Sequence, residues 1–408
     1  MPKTLFFLAG EASGDLHAAK LLQALKSLRP DLRALGLGGP RLAAAGLQAV
    51  KDLEGMQVMG FWEVARRLGF FRRVFRELRD RVKQERPDAV VCIDYPGFNL
   101  RFAAAVSRLN IPVLYYILPQ VWAWNPGRAA RMAEVVDRAY CVFDFEPPFF
   151  QKAGGRRARM KTRFVGHPLL DQPPPPKVEL PPGPPVAAFL PGSRGNEFRA
   201  HWKPMCRAFA LARERVPGIR GLLSIAPGIP SAEAGAARRA FPAEEGADAP
   251  RTPESPVLLA PRSFAESAGG LFSRPECATV SPATLLASVA DFCVSKSGTS
   301  TLESALQGKP LCVVYRGSFL SYSIAHLVVE IPVISLVNIV LGRCAVREFI
   351  QDEVSGDAIA RELARGLTDE KYAAAQRAAL AELPRRLGGP GASRRAAEAM
   401  MAFLEGRE

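Results

Sequence analysis

The chain has 408 residues, of which 48% are hydrophobic, 23% charged and 8% aromatic. These values are typical of a folded protein with two domains of average size, and they exclude an intrinsically disordered chain. The formal net charge of +14 indicates nucleic acid, phosphorylated metabolites or an anionic membrane as partner, unless the basic surface serves solubility alone.

The first 166 residues alternate short apolar runs with helical patterns. The runs read TLFFLAG, LRALGLGG, AVVCIDYPG, PVLYYIL and RAYCVFDF. Such alternation predicts βαβ units whose parallel strands are buried on both faces. We therefore predict an N-terminal domain over residues 1–171 with a doubly wound, Rossmann-like sheet.

A proline-rich segment follows this domain. Residues 172–185 read QPPPPKVELPPGPP, and eight prolines in fourteen positions predict an extended, semi-rigid linker. The alternation then starts again with VAAFLPGSRG, GLLSIAPG, DFCVSKSG and PLCVVYR, which predicts a second Rossmann-like domain over residues 186–356. Within it, residues 227–257 are predicted as an insertion with one short helix. Residues 357–408 are predicted as a helical tail, for which packing against the N-terminal domain is one alternative.

Cysteine, histidine and hydropathy patterns exclude several classes of protein. The seven cysteines occur singly and the four histidines show no ligand spacing, so we expect reduced core cysteines and no metal site. The N-terminal apolar run is too short for a signal peptide, and no run of eighteen apolar residues is present. We therefore predict a cytoplasmic protein without a transmembrane helix.

The sequence GEASGD, residues 10–15, lies where the first strand passes into the first helix. It lacks the lysine of a P-loop and the spacing of a dinucleotide fingerprint, so phosphate binding is not its predicted role. A carboxylate there can accept hydrogen bonds from sugar hydroxyls, and Glu11 is the candidate. The alternative is a capped turn in which Glu11 is only solvated.

A second carboxylate follows a later strand. In VVCIDYPGFNLR, Asp94 comes after four apolar residues and before Pro96 and Gly97. A carboxylate at a rigid strand end is well placed to act as a general base. An aspartate that only caps the following loop is the alternative.

The second domain opens with a candidate diphosphate site. In FLPGSRGNE, Gly192, Ser193 and Arg194 stand between a strand and a helix. Backbone N–H groups, the positive end of the helix and a guanidinium together suit a diphosphate. A simple turn with a solvent-facing Arg194 is the alternative.

The sequence SKSGTSTLES contains a similar turn. Its small residues Ser297, Gly298 and Thr299 would let a ligand approach the helix N-terminus. Glu303, one helical turn further on, could bind a ribose diol. The alternative for Glu303 is a glutamate that stabilises the helix N-terminus.

Residues 60–83 combine bulky apolar residues with eight Arg and Lys against three acids. Aromatic residues beside basic ones on an amphipathic helix suit an anionic membrane or a lipid substrate. The alternative is a core helix with a basic outer face. The predicted contacts with lipid are Phe61, Trp62, Phe70, Phe71, Arg72 and Arg73.

Several of these sequences occur together, and in this order, in one family. AGEASGD, LGGPRLAAAG, VMGFWEV, IDYPGFN, YYILPQVWAWNPGR, FVGHPLLD, LPGSRGNE, SGTSTLE and VVYR resemble the lipid-A-disaccharide synthase family over about residues 4–350. The resemblance implies a GT-B glycosyltransferase fold, with two Rossmann-like domains facing a cleft. It also implies an inverting transfer that needs neither metal nor other cofactor.

The resemblance implies a substrate pair and residue roles. UDP-2,3-diacylglucosamine and 2,3-diacylglucosamine 1-phosphate would give a β-1,6-linked disaccharide 1-phosphate and UDP. Arg194 and the turn Ser297–Thr299 would face the diphosphate, Glu303 the ribose, and Glu11 and Asp94 the sugars. Our hypothesis is that Asp94 deprotonates the acceptor 6-hydroxyl, with Glu11 as the next candidate base.

The resemblance implies weaker roles elsewhere. Asn338 and Gln351 would be further substrate contacts, although Val337 and Cys344 depart from the family pattern around them. A homodimer with exchanged C-terminal segments is implied, peripheral on the inner face of the cytoplasmic membrane. The alternatives are another UDP-N-acetylglucosamine-dependent transferase, a UDP-sugar epimerase, or a nonenzymatic module that binds nucleic acid, a partner that we do not expect.

Overall fold

In the computed structural model, the chain divides into two compact units. The first unit comprises Met1–Asp171 and Leu387–Glu408, and the second Gln172–Arg386. The structure describes residues 2–53, 56, 68–124, 126–155, 158–226, 228–241, 257–260, 264, 268, 270–317 and 333–407.

The first unit contains a seven-stranded parallel sheet with the order β3-β2-β1-β4-β5-β6-β7. Every residue of β4 is buried, as expected for a strand covered on both faces. The strands are β1 (Thr4–Ala9), β2 (Arg33–Leu37), β3 (Gln48–Lys51), β4 (Ala89–Ile93), β5 (Val113–Tyr116), β6 (Arg138–Cys141) and β7 (Lys161–Phe164).

Helices cover this sheet through their apolar faces. The buried residues of the first helix, among them Ala18, Leu21 and Leu25, recur with the 3.6-residue period of a helix. The helices are α1 (Ala12–Leu28), α2 (Pro40–Ala44), α3 (Leu68–Glu85), α4 (Pro96–Val106), α5 (Val121–Trp124), α6 (Pro126–Val135) and α7 (Glu146–Gly154).

The end of the chain belongs to the first unit. Helix Ala392–Leu404 packs against α1, and the carboxylate of Asp171 accepts hydrogen bonds from the backbone N–H groups of Gly391, Ala392 and Ser393, at 2.6, 3.1 and 2.7 Å. These groups open the helix, so a carboxylate satisfies donors that would otherwise lack partners. The three hydrogen bonds lower the pKa of Asp171, although its burial acts in the opposite direction.

The second unit contains a six-stranded sheet with the order β10-β9-β8-β11-β12-β13. Only the edge strand β10 runs antiparallel to its neighbour, and the other pairs are parallel. The strands are β8 (Val186–Leu190), β9 (Arg220–Ser224), β10 (Val257–Ala260), β11 (Phe292–Lys296), β12 (Leu311–Tyr315) and β13 (Arg347–Ile350).

The helices of the second unit extend beyond the predicted boundary at residue 356, because residues 357–386 also belong to this unit. The short helix predicted in the insertion is present, while residues 242–256 of the insertion lie outside the described residues. The helices are α8 (Gly195–Arg215), α9 (Ser231–Ala240), α10 (Pro282–Val289), α11 (Thr299–Leu306), α12 (Leu336–Leu341), α13 (Gly356–Thr368), α14 (Glu370–Leu380) and α15 (Leu383–Arg386); α16 (Ala392–Leu404) lies in the first unit.

The proline-rich segment 172–185 has no helix or strand. The Arg220 guanidinium donates hydrogen bonds to the carbonyl oxygens of Pro181 and Pro184, at 2.6 and 2.7 Å. These contacts attach the end of the segment to the second unit.

The predicted burial of the cysteines is confirmed for all except Cys344, which is exposed. No helix among the described residues has the length and apolar character needed to cross a membrane.

Candidate active site

Glu11 and Asp94 follow neighbouring strands of the first sheet. Strands β1 and β4 lie side by side, with Ala9 paired to Ile93, and the strand order reverses between them because β2 and β3 extend one way and β5 to β7 the other. Ligands of open α/β sheets bind at such a reversal, outside the carboxyl ends of the strands. The fold therefore places both predicted carboxylates at the ligand-binding edge of this unit.

The turn that carries Asp94 has an uncommon backbone. Asp94 and Tyr95 both have positive φ, of 44° and 50°, a conformation that non-glycine residues adopt at some energetic cost. The Asp94 carbonyl oxygen accepts hydrogen bonds from the Tyr115 hydroxyl at 2.6 Å and from Asn99 Nδ2 at 2.8 Å. Asn99 Nδ2 also reaches the carbonyl oxygens of Leu8 and Ile93. A buried amide thus holds the ends of β1 and β4 and the turn together.

Tyr95 connects this turn to Glu11. A Cβ on Gly10 would lie 2.2 Å from Cδ1 of Tyr95, so only glycine leaves room for the ring. The Tyr95 hydroxyl donates to the carbonyl oxygen of Met56 at 3.0 Å. Burial, together with the negative charge of Glu11, raises the pKa of Tyr95 to about 12, so the hydroxyl remains a donor at neutral pH.

Asp15, the second acid of GEASGD, has a structural role. It is 2% exposed, and its carboxylate accepts hydrogen bonds from the backbone N–H groups of Gly39, Arg41 and Leu42, at 2.7, 3.0 and 3.1 Å. These donors open α2, so Asp15 fixes that helix to α1. Of the two acids in GEASGD, only Glu11 remains a candidate for accepting hydrogen bonds from sugar hydroxyls.

The second unit repeats the arrangement with basic groups. Strands β8 and β11 are neighbours, with Leu190 paired to Ser295, and the strand order reverses between them. Gly192, Ser193 and Arg194 follow β8 and lead into α8, and Ser297 and Gly298 follow β11 and lead into α11. The predicted diphosphate residues therefore share one edge of this sheet, where two helix N-termini begin.

The loop after β8 is shaped around Glu197, in the first turn of α8. Gly192 has a φ of 110°, and a Cβ on it would lie 2.8 Å from Cβ of Glu197. The Glu197 carboxylate lies 3.6 Å from a terminal nitrogen of Arg194 and 2.8 Å from Nζ of Lys296. Neither Glu197 nor Lys296 is among the residues predicted from sequence.

The turn after β11 presents Thr299 at its exposed end. Gly298 has a φ of 154°, which favours glycine. The Ser297 hydroxyl donates to the carbonyl oxygen of Ile334 at 3.1 Å, so this side chain also serves the fold. Backbone groups at the start of α11 and the Thr299 side chain are the features that suit a phosphate.

Glu303 is partly buried in α11. Its Oε2 accepts a hydrogen bond from the hydroxyl of Ser281 at 2.5 Å, the residue that caps α10. Burial raises the pKa of Glu303, and the hydrogen bond from Ser281 opposes that effect. The carboxylate is thus oriented by α10, and a contact between Glu303 and a ribose remains a prediction.

Asn338 is completely buried, and its amide has partners within the unit. Nδ2 donates to Glu348 at 2.7 Å and to the carbonyl oxygen of Val346 at 2.9 Å, while Oδ1 accepts from the backbone N–H groups of Ala345 and Val346. This network orders the turn after α12, and a direct contact between Asn338 and the substrate remains a prediction.

Gln351 lies at the carboxyl end of β13 with a φ of 52°. Its Oε1 accepts a hydrogen bond from the backbone N–H of Gly317 at 3.3 Å. This contact connects the ends of β12 and β13, so Gln351 lies on the same edge of the sheet as Arg194. A direct contact between Gln351 and the substrate remains a prediction.

Comparison with known proteins decides the family. The sequence profile described as lipid-A-disaccharide synthetase matches residues 5–231 and 278–403. A lipid-A-disaccharide synthase from Anaeromyxobacter dehalogenans (strain 2CP-1) is 37% identical over 98% of this chain and 97% of its own length. The chain belongs to the lipid-A-disaccharide synthase family. A member of that family from Myxococcus xanthus is 34% identical over 99% of this chain and 98% of its own length.

Solved structures agree with this family at the level of the fold. MnaA of S. aureus, solved with UDP, has a TM-score of 0.62 at 10% identity and covers 99% of this chain and 97% of its own. The calicheamicin glycosyltransferase CalG4 has a TM-score of 0.57 at 16% identity over 99% and 98%. These likenesses show the GT-B fold, which confirms the predicted fold class.

The residues predicted to contact lipid in this family member fall into three groups. Phe61 and Trp62 lie outside the described residues. Phe70 and Phe71 are partly buried and pack against the core of the first unit, whereas Arg72 and Arg73 are exposed. Within α3, the aromatic residues therefore contribute to packing while the arginines form a basic outer surface.

No group of three or more histidines, cysteines or acids in the described part of the chain could hold a metal ion.

Four residues that contribute contacts at strand ends were not predicted from the sequence. They are Asn99, Tyr115, Glu197 and Lys296. Lys296 belongs to the sequence SKSGTSTLES. Its position directly before the turn is the sequence feature that could have marked it as a candidate site residue.

Proposed function

We propose that this family member transfers the diacylglucosamine of UDP-2,3-diacylglucosamine to O6 of 2,3-diacylglucosamine 1-phosphate. The bond from O6 to the anomeric carbon forms, the bond from that carbon to the diphosphate oxygen breaks, and UDP leaves with the electron pair. The acceptor proton passes to a carboxylate. The single observation that carries the residue assignment is that carboxylates stand at the strand-order reversal of one unit and cations at that of the other.

Asp94 is the proposed general base. Its backbone has a positive φ, and its carbonyl oxygen accepts hydrogen bonds from Tyr115 and Asn99, so buried groups hold the backbone that carries the carboxylate. A positioned base contributes about 10² to 10⁴ in rate. Glu11, at the end of the neighbouring strand, is proposed to accept hydrogen bonds from sugar hydroxyls.

The second unit is proposed to bind the nucleotide. Arg194, the backbone of Gly192 and Ser193, and the turn Ser297–Thr299 would bind the diphosphate, and Glu303 the ribose. Negative charge grows on the diphosphate as the glycosidic bond breaks, so donors at this edge stabilise the transition state more than the ground state.

Asp94→Asn tests the assignment of the base. We expect product formation from the defined substrate pair to fall at least a hundredfold, with little change in the KM for UDP-2,3-diacylglucosamine, because the amide keeps the shape but cannot take the proton. Asp144→Asn is the matched control, since Asp144 is exposed and follows β6 of the same sheet. Near-normal turnover of Asp94→Asn would move the role of base to Glu11.

We propose that the exposed arginines of α3 hold the protein at the anionic inner face of the cytoplasmic membrane, where the acylated substrates reside. Basic residues near such a surface contribute about 1 kcal/mol each. The proposal predicts flotation with vesicles that contain anionic lipid and weaker flotation of Arg72→Gln/Arg73→Gln. Equal flotation with neutral vesicles would contradict it.

A homodimer with exchanged C-terminal segments is a further proposal, to be tested by the mass of the protein in solution.

A further inference from the structure

Lys296 stands at the carboxyl end of β11, directly before the turn Ser297–Thr299 of the proposed nucleotide site. Its Nζ donates a hydrogen bond to Oε1 of Glu197 at 2.8 Å, and the two side chains are only 15% and 21% exposed. A lysine with so little exposure is uncommon, since Lys is mostly solvent-exposed in proteins.

Glu197 is shared between two cations. The same oxygen, Oε1, lies 3.6 Å from a terminal nitrogen of Arg194, whose side chain is 49% exposed. One carboxylate oxygen thus contacts both cations. Glu197 therefore holds the ammonium group of Lys296 and the guanidinium group of Arg194 close to each other.

The position of the ammonium group adds a second argument. Nζ of Lys296 lies 3.6 Å from where a Cβ on Gly298 would stand, and Gly298 is the residue that precedes α11. The N-terminus of a helix is its positive end, so it attracts anions and repels a cation. Arg194, likewise, immediately precedes α8. Glu197 offsets the repulsion between the two cations, and an anion bound at the two helix N-termini would be attracted by the helix ends and by both cations.

Two described neighbours of Glu197, His201 and Tyr315, are neutral. His201 is 1% exposed, and burial lowers its pKa. Its Nε2 accepts a hydrogen bond from the backbone N–H of Arg316 at 2.8 Å, so Nδ1 carries the proton and donates to the carbonyl oxygen of Glu197 at 2.7 Å. Burial, followed by the charge of Glu197, raises the pKa of Tyr315, which keeps that hydroxyl neutral.

We propose that Lys296 binds the terminal phosphate of the nucleotide diphosphate, and that Glu197 is a positioning residue that orients Lys296 and Arg194. This inference rests on the proposed function, because it assigns a second cation to the same nucleotide site. The charge that appears when the glycosidic bond breaks is on the terminal phosphate, so Lys296 acts on the leaving group.

Binding of UDP, UMP and uridine, measured by calorimetry, tests the inference without turnover. Lys296→Met should weaken UDP about ten- to hundredfold, as expected for the loss of one hydrogen bond to a charged group. UMP and uridine, which lack the terminal phosphate, should change less than about threefold. Lys296→Arg keeps the charge and should retain most of the preference for UDP over UMP. Lys309→Met is the matched control, because Lys309 precedes β12 at the opposite edge of the same sheet and is also partly buried.

Glu197→Gln tests the positioning role. It should reduce the preference for UDP over UMP, because the amide holds the two cations less firmly, while leaving uridine binding within about threefold. Equal weakening of all three ligands by Lys296→Met would show a structural role and overturn the inference. An unchanged preference for UDP over UMP in a folded Lys296→Met variant would also overturn it, as would failure of the wild-type protein to bind UDP.

The proposed function has a separate readout. If the wild-type protein binds UDP with the expected dependence on Lys296 but forms no disaccharide from the defined pair, the substrate assignment fails and the inference stands. If disaccharide forms and the preference for UDP does not depend on Lys296, the inference alone fails.

Discussion

Asn99 offers the sharpest test of how the first unit holds its candidate base. Its side chain is completely buried, and Nδ2 lies 3.2 Å from the carbonyl oxygen of Leu8, 3.1 Å from that of Ile93 and 2.8 Å from that of Asp94. An amide has two N–H groups, so two of the three contacts can be well formed at any moment. Replacement by alanine removes both donors and leaves carbonyl groups buried at the ends of two strands.

The expected cost follows from these contacts. Two intramolecular hydrogen bonds contribute about 1–3 kcal/mol net, and the unsatisfied carbonyl groups add to the loss. We therefore expect Asn99→Ala to lower the free energy of unfolding by about 2–4 kcal/mol, which for a domain of this size corresponds to a decrease of about 4–16 °C in Tm. Turnover should also fall at least tenfold, because the turn that orients Asp94 loses its main support.

Urea denaturation and steady-state kinetics check both expectations. Tyr115→Phe removes only the donor at 2.6 Å from the Asp94 carbonyl oxygen and should cost about 1 kcal/mol. Ser107→Ala is the matched control, because Ser107 ends the same helix and bonds only within it, to the Ala104 carbonyl oxygen. Stability within 0.5 kcal/mol of wild type together with unchanged turnover in Asn99→Ala would refute the reasoning.

Two further predictions concern the first unit. Burial and the charge of Lys20 lower the pKa of His17 to about 4; the unfolded chain therefore takes up this proton below about pH 6.5 while the folded protein does not, and stability falls as pH falls from about 6.5 towards 4. Relative to His17→Gln, the wild type should lose about 2 kcal/mol between pH 7 and pH 5 in urea denaturation, and a constant difference between the two proteins would contradict the burial argument. Asp171→Ala removes the acceptor for three N–H groups of α16 and should cost about 2 kcal/mol, with earlier proteolysis after residue 386; Asp31→Ala, at an exposed aspartate, should show neither effect.

Local sequence predicted the features that depend on neighbouring residues. Alternating runs indicated the strands, and the carboxylates that follow β1 and β4 could be placed at strand ends because strand and turn are encoded together. That Glu11 and Asp94 come from adjacent strands depends on strand order, which the sequence does not state. The family resemblance, not periodicity, supplied the prediction that both carboxylates face the sugars.

Long-range contacts explain what sequence reasoning missed. Asp15 and Glu11 have the same chemistry and lie four residues apart, yet Asp15 is occupied by backbone groups 24 and 27 residues away. Asp171 binds backbone groups 220–222 residues away, and no local pattern identifies these contacts, although packing of the tail on the N-terminal domain is one of the predicted alternatives. Whether an acid is structural or available to substrate therefore depends on partners that no local pattern identifies.

The two units carry different charged residues at the reversal of their strand order, and this difference separates their proposed roles. Glu11 immediately precedes α1, where the positive helix end stabilises a carboxylate, so an acid at this point is favourable without a ligand. Arg194 immediately precedes α8, and Lys296 lies beside the start of α11, where the same helix field disfavours a cation. Glu197 compensates part of this cost through its contacts with both cations, and a nucleotide diphosphate bound at the same edge, as we propose, would compensate it further. Both sheets have a similar strand order around the reversal, so the proposed roles depend on these charges and not on the topology.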